Sequence, residues 1–438
     1  MIGMTSSSVP QEHPRVITDV RVRGERCDIC IDDHGCIGEI GEGAGRALLR
    51  SGEPAITGKG AIVLPGLVNT HTHAAMTLLR GFADDMQLAE WLETKIWPME
   101  SHLTGEDVYW GTRLACLEMI RSGTIAFNDM YFFMKDAARA VKESGMKAVL
   151  SYGFIDLGDA DRREKEIQAT EEFVIFTKNL ANPLIRPAVG PHAVYTVSRD
   201  SLRWLAEYSG QEKIGIHVHL SETEKEVEDC RSQTGMRPPA LLDSCGILTP
   251  RTIAAHGCWL DQEECALLGQ KGVHVSHNPQ SNMKLAVNRA MPYPDLVAAG
   301  VNITLGTDGC ASNNSLDLFA TMKTAALLQK FYWNRETLLP ATDVLRMATE
   351  NGARALGTGT GRLEPGAPAD IILLSRASTC NTPLHHVESN LVYSCGGGIV
   401  DTVLCQGKVL MQHRQVAGEG EILAGAEKAA AALVRRGS

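Results

Sequence analysis

The feature that most restricts how this chain can fold is the run Leu64-Pro65-Gly66-Leu67-Val68-Asn69-Thr70-His71-Thr72-His73. Residues 61–68 are an apolar stretch that predicts a short buried strand, and it delivers two histidines separated by one residue. Side chains on a strand alternate, so His71 and His73 project to the same side. Two imidazoles converging at the end of a buried strand make half of a metal site. Alone, such a pair is better explained as hydrogen-bonded polar residues at a strand end, so the rest of the chain has to decide.

From residue 61 onward apolar runs alternate with amphipathic helical stretches, the pattern of a parallel βα array. Candidate strands fall at 61–68, 124–129, 147–153, 185–190, 215–219, 252–255, 273–276 and 302–306. Eight is the count that closes a barrel. Thr104-Gly105-Glu106-Asp107 and Ser198-Arg199-Asp200 carry helix-capping chemistry, and helices are expected over 316–331, 340–356 and 424–436. The long connection from His73 to His102 contains Trp91, Trp97 and Glu100 and suits a loop over an active site. Residues 15–62 hold short strands and Gly-rich turns, and more strands are expected near 371–374, 400–405 and 409–412. Each terminal set is too short to make a stable sheet alone. The expected fold is therefore α/β, a (β/α)8 TIM barrel with a small composite β-sandwich formed by the N- and C-terminal segments. The boundaries are 1–62 for the first part of the sandwich, 63–365 for the catalytic barrel and 366–438 for the rest of the sandwich plus a terminal helix.

Composition removes several functional classes. A net charge of −10 with no basic cluster argues against a nucleic-acid partner. No apolar run is long enough to span a bilayer and no signal peptide is evident, so no membrane association is expected. Residues 1–11 read as a polar, frayed extension. Twelve cysteines scattered over a long chain suit free thiols in a reducing cytoplasm. Cys27-Asp28-Ile29-Cys30, with Cys36 beyond it, contains a CxxC, but no second pair follows at zinc-site spacing. These three read as small apolar strand residues.

The polar residues at the carboxyl ends of the proposed strands, where barrel enzymes place their chemistry, settle the matter. Strand one ends in His71 and His73, strand four in His192, strand five in His217 and His219 with Glu222 beyond, strand six in His256 and strand eight in Asp308. Six of these are histidines in a chain that has 14, a concentration that scattered structural histidines do not produce. His71, His73, His219 and Asp308 suit one divalent ion, zinc foremost with iron(II) as the alternative, leaving room for water. His219 is preferred to His217 because it lies nearer the mouth, which leaves His217 a packed or supporting role. Residues 184–190 contain no lysine to bridge a second ion, so a single ion is expected. A bound ion would bring water towards a pKa of about 7, with Asp308 or His256 as proton acceptor and Glu222 as general acid and base. The constellation itself specifies metal-assisted hydrolysis and no finer class.

Five motifs in order resemble the amidohydrolase superfamily: Pro65 to His73, His219-Leu220-Ser221-Glu222-Thr223, Ala255-His256-Gly257, Ser276-His277-Asn278-Pro279 with Ser281-Asn282, and Leu305-Gly306-Thr307-Asp308-Gly309. More narrowly they resemble its 5′-methylthioadenosine/S-adenosylhomocysteine deaminases and the related 5′-deoxyadenosine deaminases. The resemblance runs from about Val16 to about Val416 and implies a TIM barrel beside a composite sandwich. It implies His71, His73 and His219 as metal ligands, Asp308 as further ligand and proton acceptor, Glu222 as donor to the purine ring nitrogen, and His256 as the group that steadies the attacking hydroxide. It also implies Glu100 on the ribose hydroxyls, His192 on the sugar side and Trp97 in the substrate wall. Relatives that accept a carboxylate-bearing 5′ tail place arginines after strand three, the region of Arg162-Arg163 here. The expected activity is hydrolytic deamination of adenosine-type nucleosides with variable 5′ groups to the inosine analogue and ammonia. The alternatives are a free-base deaminase or triazine chlorohydrolase of the same superfamily, or a non-catalytic scaffold on this fold. A small-molecule nucleoside partner is expected, together with association into a homo-oligomer.

Overall fold

The computed structural model describes residues 13–86 and 88–437; the polar extension read at 1–11 lies outside the described residues. The chain opens with β1 (Val16–Val22), β2 (Glu25–Ile31), β3 (Ile37–Gly41) and β4 (Ala55–Pro65). Eight parallel strands follow: β5 (Leu67–Thr72), β6 (Thr124–Tyr131), β7 (Lys147–Phe154), β8 (Ile185–Pro191), β9 (Gly215–Leu220), β10 (Thr252–His256), β11 (His274–His277) and β12 (Asn302–Leu305). The last three strands are β13 (Ile371–Leu374), β14 (Val400–Cys405) and β15 (Lys408–Met411).

The eight parallel strands pair in chain order, and the first and last come together at the seam of a nearly closed cylinder. At that seam the Asp308 N–H donates to the His71 carbonyl at 3.0 Å, and Thr70 Oγ1 donates to the Leu305 carbonyl at 2.9 Å. Every residue of β5 and β6 is buried, as expected for parallel strands covered on both faces. The helices between strands begin where the sequence places their caps. Thr104 and Asp107 form a reciprocal capping box on the helix Gly105–Arg121, and Ser198 caps Arg199–Glu212.

The apolar run 61–68, read from sequence as one strand, is divided between two sheets. Residues up to Pro65 belong to β4, whereas β5 starts at Leu67. The Gly66 N–H donates to the Asp370 carbonyl beside β13, and the Leu67 N–H donates to the Gly123 carbonyl beside β6. A Cβ on Gly66 would lie 2.2 Å from the Ile125 side chain, so only glycine lets the chain cross at this point. The connection after β5 is likewise more ordered than the loop expected. It winds through short helical turns at Ala74–Leu79, Leu88–Trp91, Leu92–Ile96 and Trp97–Glu100, because Trp91, Ile96 and Met99 bury against the barrel.

The remaining strands form one mixed sheet in the order β15-β14-β13-β4-β1-β2-β3, so both chain ends build it. Its two ends approach each other: Ala369 N–H donates to the Gly35 carbonyl in the β2–β3 turn, and Gly407 N–H in the β14–β15 turn donates to the Ala369 carbonyl. Ile17, Ile29, Ile37, Ile371 and Leu404 share the apolar cluster inside. Cys27 joins that cluster, and all twelve cysteines are free. A buried Lys147–Asp370 ion pair ties the start of β7 to this sheet. Among the described residues no helix is long and apolar enough to cross a membrane.

Candidate active site and metal centre

The carboxyl ends of the barrel strands carry the polar residues, and the turns there are built to aim them. A Cβ on Gly306 would lie 2.3 Å from Asn278 Oδ1 and 2.8 Å from His71 Cβ. Glycine at the end of β12 therefore allows Asp308 to arrive beside His71. Asp308 and His256 adopt positive φ angles of 63° and 75°, left-handed backbone that non-glycine residues hold only where the surroundings enforce it.

His71, His73 and His219 bring one ring nitrogen each within 4.8 Å of one another, and a ring nitrogen each of His71 and His256 lies equally close to a carboxylate oxygen of Asp308. Asp308 Oδ1 lies 3.5 Å from His71 Nε2 and 3.4 Å from His73 Nε2. The other carboxylate oxygen accepts a hydrogen bond from Ser281 Oγ at 2.6 Å.

The protonation pattern shows what this cluster is for. His73 Nδ1 donates to the Met130 carbonyl at 2.6 Å and His219 Nδ1 donates to the His192 carbonyl at 2.8 Å. In its neutral form each ring then carries its proton on Nδ1 and turns a bare Nε2 to the cluster. Those two Nε2 atoms face each other at 3.2 Å, lone pair against lone pair. His71 Nε2 is buried with no hydrogen-bond partner. An arrangement of three unprotonated imidazole nitrogens and one carboxylate is repulsive until a cation sits among them, so the residues fit a divalent ion.

Electrostatics agree. Burial, followed by the neighbouring imidazoles, pushes His219 and His217 well below the usual histidine range. Burial also takes His256 and His192 down to about 3. For Asp308 burial works against ionisation, but His71, His73 and His256 outweigh it and hold the carboxyl well below the usual range. Glu222 is the opposite case: burial first, then Asp308 and Glu226, raise it well above the carboxylate range, which favours its protonated form. Its Oε1 lies 3.6 Å from His256 Nδ1. Paired carboxyls with separated proton affinities are the arrangement that general acid and base work requires.

Beside this centre a cavity of about 90 Å³ opens to solvent. Trp97, Glu100, His192, His219, Glu222, His256 and Asp308 all line it, so every proposed substrate-facing residue reaches one space. Tyr131 donates its hydroxyl hydrogen to Glu100 Oε1 at 2.7 Å, and burial raises that carboxyl to about 7. His192 Nδ1 lies 2.9 Å from Thr196 Oγ1. Arg162 and Arg163 are not brought in. Arg162 lies with Asp156, Asp159 and Asp161 around a separate surface depression, and among the described residues the cavity wall contains neither Lys nor Arg.

Sequence reasoning missed three supports. Asn282 places its amide nitrogen 2.9 Å from His256 Nδ1, and Ser281 bonds Asp308. Both stand in a segment the motif pattern had marked without assigning a task. Glu226 accepts from the backbone N–H groups of Ser221 and Glu222. The spacing from Thr223 to Glu226 is a capping-box signal that could have found it.

Comparison with known proteins follows the same line. A profile described as the amidohydrolase family matches residues 62–410. The chain is 60% identical to a 5′-deoxyadenosine deaminase of Methanoregula boonei, over 96% of this chain and 95% of that one. It is 47% identical to 5-methylthioadenosine/S-adenosylhomocysteine deaminase 1 of Archaeoglobus fulgidus, over 89% and 92% of the two chains. Among solved structures, an adenosine deaminase from Xanthomonas campestris with bound zinc superposes with a TM-score of 0.87 at 34% identity, covering 97% of this chain and all of that one.

Proposed function

The chain belongs to the amidohydrolase family, and from that membership we propose that it is a divalent-metal-dependent deaminase of adenosine-type nucleosides. It replaces the 6-amino group by oxygen and releases ammonia, giving the inosine analogue. The observation that carries this reading is the meeting, in one cavity, of the histidine–aspartate cluster, the buried Glu222 carboxyl and Glu100. His71, His73, His219 and Asp308 would hold the ion, with zinc preferred. The bound ion supplies a water-derived nucleophile at neutral pH.

The residues of the chain account for the protons. Asp308, kept ionised, takes the proton lost by the attacking water, and His256 steadies the incoming oxygen. Glu222 gives its proton to ring nitrogen N1 as carbon C6 becomes tetrahedral. The proton on Asp308 then leaves with the departing amine as ammonia. Glu222 recovers a proton from the new C6 hydroxyl as the carbonyl forms, so the site returns to its starting state. Glu100 accepts from the ribose hydroxyls, with one oxygen held by Tyr131, and His192 contacts the sugar side. A free base or a triazine has no group for Glu100, which favours the nucleoside over those alternatives. The absence of a cationic side chain from the described cavity wall supports neutral 5′ substituents, such as the methyl of 5′-deoxyadenosine, over carboxylate-bearing tails. Twelve free thiols support a reducing, cytoplasmic setting.

Ammonia release from 5′-deoxyadenosine, 5′-methylthioadenosine, S-adenosylhomocysteine, adenosine and adenine tests the reading. Turnover of the nucleosides without adenine is expected, with a kcat loss of about 10²–10⁴-fold in Glu222→Gln. Full activity in that variant, or preference for adenine, would refute it.

A further inference from the structure

We propose that Glu226 is the positioning residue for Glu222: its carboxylate clamps the turn after β9 and so fixes where the Glu222 carboxyl stands in the cavity. The inference rests on the reading of Glu222 as proton donor.

The turn has an unusual need for such a clamp. The chain leaves β9 at Leu220, passes through Ser221 in the left-handed region with φ 46°, and enters the helix Glu224–Thr234 at its cap Thr223. The carbonyl side of this turn is tied to the exit of β10, with Gly257 N–H donating to Leu220 and Trp259 N–H donating to Ser221. The N–H side has no strand or helix partner. It is taken by one side chain: Glu226 Oε1 accepts from Ser221 N and Glu226 Oε2 from Glu222 N, each at 2.8 Å. Thr223 Oγ1 in turn accepts from Glu226 N at 3.2 Å, which fixes the base of the clamping side chain. Glu226 is 4% exposed, so water does not replace these bonds. Two converging N–H groups require two acceptor oxygens. A glutamine would present one oxygen and one NH2, and the second would face a backbone donor. Glu226 does not itself line the cavity; it meets the wall only through the backbone of Glu222. Burial raises the Glu226 carboxyl itself to about 7, and in its ionised form it adds, after burial and Asp308, to the effects that favour the protonated form of Glu222.

The test uses the full-length, zinc-loaded enzyme with Glu226→Gln. With 5′-deoxyadenosine, kcat should fall about 10–100-fold, the scale on which a displacement near 1 Å acts on a reacting group. KM should stay within about threefold, because the ribose contacts are made elsewhere. Zinc content should match the parent, and hydrogen exchange over residues 219–226 should quicken at Ser221 and Glu222 alone. A kcat within about twofold of the parent overturns the clamp. So does a joint loss of zinc and rise in KM with faster exchange throughout the chain, which marks a merely structural residue. If the glutamine variant does not fold, Glu226→Asp, one methylene shorter, is measured with the same expected signs and a smaller loss. If the parent itself releases no ammonia from nucleosides, the deaminase reading fails, and exchange still decides the clamp: unchanged protection of Ser221 and Glu222 overturns it.

Discussion

His217 Nε2 lies 2.8 Å from Nδ1 of His71, one layer deeper in the barrel. His217 Nδ1 faces the Asp129 carbonyl and Ser151 Oγ, the latter at 3.3 Å, so its own proton sits on that side. The Nε2 atom is then the acceptor, His71 donates from Nδ1, and His71 Nε2 is left bare toward the cluster. Replacing His217 by Phe keeps an apolar ring and removes the acceptor. Metal affinity should fall about 10–100-fold, measured by chelator competition. Unchanged affinity would mean that His217 does nothing but fill space.

Stripping the ion should cost stability as well as activity, because His73 and His219 turn their Nε2 atoms to each other at 3.2 Å, a contact that two lone pairs disfavour unless a cation lies beside them. A ligand at about 1,000 times its Kd stabilises by about 4 kcal/mol. Chelation should therefore lower Tm and abolish turnover, and added zinc should restore both. Loss of turnover with no change in Tm would argue that the ion is held elsewhere.

Glu100 gives a pH signature with a definite sign. Burial raises its carboxyl from 4.5 to about 7. Between those values the folded chain binds more protons than the unfolded one, so this group lowers stability progressively as pH rises through the window. Glu100→Gln should raise Tm at about pH 8 and leave it nearly unchanged at about pH 4.5. KM for adenosine should rise as pH falls below about 7, where the acceptor becomes protonated, and the variant should lose that dependence. An equal Tm shift at both pH values would count against burial as the cause.

The Lys147–Asp370 pair is 7% and 1% exposed, and Asp370 Oδ1 also accepts from Gln406 N at 2.7 Å. Asp370→Ala leaves a buried ammonium without its partner and should destabilise by about 3–5 kcal/mol in denaturant titration. Activity per folded molecule should persist, since neither residue reaches the cavity. A loss below about 1 kcal/mol would show that Lys147 finds water or another acceptor.

A nucleoside panel separates tails by charge. With no Lys or Arg in the described wall, kcat/KM should be higher for 5′-deoxyadenosine and 5′-methylthioadenosine than for S-adenosylhomocysteine. The reverse order would place a cation near the 5′ end in the bound state.

The barrel and the histidine–aspartate cluster at its mouth were legible because parallel strands leave two plain marks, long apolar runs and polar residues at one end. His71, His73, His192, His219, His256 and Asp308 all follow from that rule. The division of the 61–68 run at Gly66 was not legible, since an apolar string carries no sign of which sheet each half joins. The helical form of 74–100 escaped for a related reason: its turns are short and held by burial of Trp91 and Ile96 rather than by their own periodicity. Arg162 illustrates the limit of local proximity. It follows the right strand, but Asp159 caps its helix and turns it towards solvent. The task of Glu226 needs three dimensions, because the N–H groups it satisfies precede its own helix.

The seam of the cylinder, drawn from Asp308 to His71, also orders the birth of the protein. Synthesis completes the first stave early, whereas the carboxylate that shuts the wall emerges only after roughly 300 residues have been made. A nascent chain can display paired histidines but cannot assemble the whole coordination cage. If these side chains hold the ion, its capture is a closing act of maturation, and copies made without it would be complete in length yet inert and less stable.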